Sequence, residues 1–142
     1  MSIALEFYDN GVILRHSGII TDEELIQAEN DIYDHEYPEQ LQFQIIDLAE
    51  VEAFQASDET MRYLGQKDHA QSKIRNHQFV VVIAPMHCRT KTMIWEVWAQ
   101  DKDSREPTIF TEIVNTTEEA IKWLEGNRVN VSFNKTDEHI GL

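Results

Sequence analysis

One cysteine, Cys88, stands among 142 residues, which excludes an internal disulfide and any metal site built from several thiolates. Proline and glycine are scarce, three and five residues, and neither a glycine-rich phosphate loop nor a nucleophile elbow is present. Positive charge is thin as well: 12 Lys and Arg face 26 Asp and Glu, for a formal net charge of −14. Nucleic acids and anionic membrane surfaces would be repelled by such a chain, so neither is expected as a partner. The longest apolar run, Phe79 to Met86, is too short to cross a bilayer. Met1-Ser2-Ile3-Ala4-Leu5-Glu6 has neither the basic start nor the apolar stretch of a secretory signal, and a cytoplasmic protein is expected. What remains is ordinary globular material, 42% hydrophobic and 27% charged, enough for one core and not for two.

Periodicity divides the chain into alternating strands and helices. Ile3, Leu5 and Phe7 alternate with polar or small residues as in a half-buried strand. Asp9-Asn10-Gly11 then predicts a tight hairpin, because Asn-Gly tolerates positive φ at both turn positions, and Val12 to Ile20 returns as a second strand. Thr21 and Glu24 have capping-box spacing at the start of a helix whose stripe is Leu25, Ala28 and Ile32 and which ends before Pro38. Phe43 to Leu48 reads as a strand buried on both faces, and Ser57 opens a helix that becomes polar and weakly periodic from Gln66 to Ile74. The β-branched run Phe79 to Ala84 predicts a central strand, followed by a third helix over about Thr90 to Gln100 and a strand from Thr108 to Val114. Asn115 or Thr116 caps a fourth helix that ends at Gly126. Strands joined by helices after an initial hairpin imply a mixed sheet with βαβ crossovers.

Four segments, in this order, carry a resemblance: Gly18-x-x-Thr21-x-x-Glu24, Ile45-Ile46-Asp47-Leu48-x-x-Val51-x-x-Phe54, Val80-Val81-Val82-Ile83-Ala84-Pro85 and Glu118-Glu119-Ala120-x-x-Trp123-Leu124. Together they resemble the SpoIIAA-like group of the STAS superfamily, small bacterial proteins also described as STAS/SEC14-like. The resemblance implies an α/β, STAS-like fold with a mixed sheet of about five strands, an N-terminal hairpin and four helices. The expected domain covers residues 1–126, with 127–142 as a C-terminal extension that carries either an edge strand at 129–133 or a loose tail. In anti-sigma-factor antagonists of this superfamily the second helix opens on Asp-Ser-Ser-Gly, whose serine is phosphorylated. Here the segment is Gln55-Ala56-Ser57-Asp58, so Ser57 occupies the acceptor position without the preceding acid or the following glycine. On its residues alone Ser57 is an N-cap; a helix N-terminus also accepts phosphate, although Asp58 and Glu59 oppose it. The family's Gly-x-x-Arg-Met stretch is represented only by Met93 in Arg89-Thr90-Lys91-Thr92-Met93.

Other arrangements lack the partners their chemistry requires. Cys88, between His87 and Arg89, would need an arginine six residues on to form a phosphatase loop, and Ile94 stands there. Asp101, Asp103 and Glu112 fall at calcium-loop spacing, but Arg105 and Glu106 occupy the places of a ligand and the turn glycine. The histidines at 16, 35, 69, 77, 87 and 139 show no zinc-ligand spacing, and Asp47 has no visible catalytic partner. No catalytic residue, metal or cofactor is expected.

Two features point instead to binding. Between Arg15 and Arg62 there is no Lys or Arg and there are thirteen acids, either a solvated surface or a negative docking face for a basic protein partner. The predicted third helix, through Met93, Ile94, Trp95, Val97 and Trp98, is apolar nearly all round, more than one stripe against a sheet requires. The expectation is a non-enzymatic binding or regulatory module, a homodimer or the complement of a regulatory protein, docking through that ridge. The alternative is a carrier of a small apolar or lipid-like molecule in a pocket lined by Met93 and Val97, with transient membrane association.

Overall fold

In the computed structural model, which describes residues 3–33, 42–74, 78–84 and 109–131, the elements in chain order are β1 (Ile3–Tyr8), β2 (Gly11–Ile20), α1 (Asp22–Tyr33), β3 (Phe43–Phe54), α2 (Asp58–Ile74), β4 (Gln78–Ile83), β5 (Ile109–Val114) and α3 (Thr117–Gly126). The strands form one sheet in the order β1-β2-β3-β4-β5, the first pair antiparallel and the rest parallel. The fold expected from the motifs is therefore present; the predicted helix at 90–100 lies outside the described residues.

Each strand sends alternate residues to opposite faces, and each face has its own core. On one, Val12, Leu14, Ile46, Leu48, Val80 and Val82 pack beneath Leu25, Ala28 and Ile32 of α1 and Met61 and Leu64 of α2. Full burial of Met61 and Leu64, the two anchors of α2, contributes about 1.5–3 kcal/mol each. On the other face, Ile13, Phe43, Ile45, Val81, Ile83 and Val114 pack beneath Ala120 and Leu124 of α3. Phe79 stacks on Phe110 at 5.2 Å and meets Trp123 edge-on at 5.9 Å, extending this second core. Val129 is buried in it and Val131 packs against it; residues 129–131 belong to no strand, and 132 and 133 of the expected edge strand lie outside the described residues.

Two local expectations are corrected. The hairpin has a two-residue loop, Asp9-Asn10, and neither residue has positive φ. Gly11 is instead the first residue of β2, opposite Phe43 of β3, whose ring occupies the space a Cβ would take. Glycine is required there by the approach of a neighbouring strand, not by the turn. Second, β3 runs past Leu48 to Phe54, because β2 continues beside it through register shifts at Arg15/Ser17 and Gly18/Ile19, with Gly18 at φ +65. Asp47 is thus inside a strand rather than at its end. Helix α3 ends at Gly126 as expected, and the left-handed residue beyond it is Arg128 (φ 64); Arg128 and Val129 donate to the carbonyls of Glu125 and Leu124 at 3.0 and 2.9 Å.

Candidate functional site

The first two helices begin side by side at the carboxyl ends of β2 and β3. The Gln55 N–H donates to the Ile20 carbonyl at 2.7 Å, which brings the two chain exits together. Thr21 caps α1, its hydroxyl oxygen accepting from the Glu24 N–H at 3.4 Å. Ser57 caps α2 as its residue type predicts, its Oγ accepting from the Thr60 N–H at 3.1 Å.

The two caps are joined. The backbone N–H of Ser57 donates to Asp22 Oδ1 at 2.8 Å and its hydroxyl donates to Asp22 Oδ2 at 3.3 Å. Thr60 Oγ1 lies 3.1 Å from Ser57 Oγ. Asp22 therefore does more than complement the dipole of its own helix: it ties the N-terminus of α1 to that of α2. Ser57 itself is exposed. The arrangement presents a hydroxyl to solvent at a helix N-terminus, held by a carboxylate thirty-five residues earlier in the chain. A phosphate on Ser57 would gain the N-terminal amides of α2 and lose the Asp22 contact to charge repulsion, with Asp58 and Glu59 adding to the repulsion.

A second charged group lies on the α3 face of the sheet. Arg15 pairs with Glu6 and, through Nη1 at 3.0 Å, with Asp47, which also accepts from the Ala49 N–H at 3.0 Å. The hydrogen bond to Glu6 is the main cause holding the Arg15 guanidinium above its usual pKa. Tyr8, raised chiefly by burial, donates its hydroxyl to Glu6 at 3.2 Å. Asp47 is thus committed to an arginine and to a backbone N–H of its own strand. Among the described residues no three His, Cys, Asp or Glu side chains gather as metal ligands, and no helix is long and apolar enough to cross a membrane.

Of the residues singled out in the sequence, Ser57 is at the site. Met93, Ile94, Trp95, Val97 and Trp98 lie outside the described residues, as does Cys88. Asp22 was missed as a partner of Ser57. Its only local signal is an acid just after a capping threonine, and that has a sufficient explanation within α1.

No protein-family model matches the chain, and no curated protein matches it significantly. Among solved structures it is similar to the anti-sigma factor antagonist SpoIIAA in its unphosphorylated form, with a TM-score of 0.53 at 14% identity over 87% of this chain and 98% of that one. It is also similar to the phosphorylated form of SpoIIAA, the Bacillus cell fate determinant, with a TM-score of 0.52 at 15% identity over 86% of this chain and 98% of that one. The fold is that of SpoIIAA, as the ordered motifs led us to expect.

Proposed function

We propose, from a fold shared with SpoIIAA, that this protein is a non-enzymatic, cytoplasmic regulatory module that acts by docking on another protein, and that the surface around Ser57 is where it docks. The observation that carries this reading is the exposed Ser57 hydroxyl at the start of α2, bridged to Asp22, in a fold similar to that of an anti-sigma factor antagonist solved in phosphorylated and unphosphorylated forms. Ser57 is the acceptor-equivalent residue, and phosphorylation there would exchange a capped, carboxylate-bridged hydroxyl for a dianion that Asp22 repels. Photocrosslinking in the source cells tests the reading. A photoreactive residue at Glu59 captures a specific protein, the same group at Lys122 on α3 does not, and Ser57→Arg abolishes capture. Equal capture from both positions, or none from either, refutes it.

The ridge of Met93, Ile94, Trp95, Val97 and Trp98 supplies the second part of the proposal, a homodimer contact, on the strength of an apolar sequence wider than one stripe. Light scattering then finds a dimer for the wild type and a monomer for Trp98→Glu. A wild type monomeric at high micromolar concentration removes the dimer.

A further inference from the structure

An apolar groove of about 270 Å³ lies between the edge strand β1 and helix α1, and Ser57 is not among its lining residues. Its floor is Ile3, Leu5 and Ala28, and its rim is Glu23, Glu24, Gln27 and Asp31. Gln27 donates to Asp31 at 2.8 Å, which steadies that side of the rim. Glu24 Oε2 is buried at the groove with no hydrogen-bond partner among the described residues. A carboxylate oxygen in that position is costly until a donor reaches it.

We propose that this groove takes an amphipathic helix of a protein partner, with aliphatic side chains on the floor and Lys or Arg against the rim. The inference rests on reading the protein as an interaction module and assigns it a second contact, with a basic partner segment. Spacing supports a helix: Glu23 and Asp31 are eight residues apart on α1, about 12 Å along its axis, which matches two basic residues seven or eight apart on a helix lying alongside. Charge supports a basic one, because three carboxylates rim the groove and the chain has no Lys or Arg between Arg15 and Arg62. The volume is below the roughly 300–1,000 Å³ of a small-molecule pocket, and a second copy of a chain with net charge −14 would be repelled from this rim.

The test is an amide chemical-shift titration of the full chain with a helical peptide of leucine and lysine, about fourteen residues or four turns long. Shifts concentrate at Ile3, Leu5, Glu23, Gln27, Ala28 and Asp31. The Glu23→Lys, Asp31→Lys double variant, both changes on the helix surface, melts like the wild type and binds at least about tenfold more weakly. A peptide with serine for leucine and one with glutamate for lysine both fail to bind. Shifts centred elsewhere, equal binding of the serine peptide, or groove shifts with laurate but not with the peptide overturn the proposal. Ser57→Asp leaves peptide binding unchanged, and crosslinking from position 59 does not depend on the groove, so the two readings fail separately.

Discussion

Acid should weaken this protein through one histidine. His16 is buried in β2 opposite Ile3, and burial pushes its pKa down to about 4 from an ordinary 6.5. The Leu14 carbonyl, 3.1 Å from Nδ1, and the negative charge of Asp47 favour the protonated ring but do not offset desolvation. An unfolded chain takes up the proton near pH 6.5, whereas the folded one resists it until about pH 4. Stability from the neutral ring is therefore fully present above pH 6.5 and is lost as pH falls through that window. A shift of this size removes about 0.8 kcal/mol at pH 6, about 2 at pH 5 and about 3 at pH 4. Urea unfolding of wild type and His16→Phe isolates the effect, since the carboxylates are common to both proteins. The stability of the variant relative to wild type rises by about 2 kcal/mol between pH 7.5 and pH 5, whatever the substitution costs at neutral pH. Parallel pH profiles for the two proteins would refute the reasoning. So would an imidazole proton resonance that titrates near 6.5 in the folded state.

Three further outcomes are expected. Gly11→Ala drives a Cβ into the Phe43 ring and costs about 1–3 kcal/mol in urea unfolding, part of it recovered by adding Phe43→Leu. Arg128→Gly relieves a left-handed residue and adds about 0.5–1 kcal/mol, read as a higher melting temperature. Ser57→Ala removes the cap of α2 and costs about 1 kcal/mol; Ser57→Asn restores most of it, and Ser57→Asp restores less because its carboxylate faces that of Asp22, a deficit that narrows as salt is raised.

The elements visible in the sequence were those whose signal is local. Period-2 alternation in Ile3–Tyr8, the β-branched run before Ala84 and a cap at Asn115 or Thr116 each specify an element within a few residues. The Thr116 hydroxyl does accept from the Glu119 N–H, at 3.1 Å. What escaped depends on residues distant in sequence. Gly11 looks like a turn glycine until β3 places Phe43 against it. The far half of β3 is polar on one side and reads as loop, yet β2 supplies its ladder. Ser57 was legible as a cap, whereas its bridge to Asp22 exists only because β2 and β3 end together. The groove combines two residues of β1 with a helix ridge, and each half alone reads as ordinary burial and ordinary solvation.

Strand order that simply follows the chain has a consequence for how the polypeptide is made. Each strand, as it leaves the ribosome, meets a neighbour that has already emerged, so the sheet can grow by addition at one margin without waiting for an insertion between finished strands. By Ile74, three paired strands already have the residues of α1 and α2 available to cover one side. Among the described residues the helix packed on the other side is α3, the last of them to be synthesised, so Phe43, Ile45 and Val81 gain that cover late and form a surface that a nascent-chain chaperone would grip.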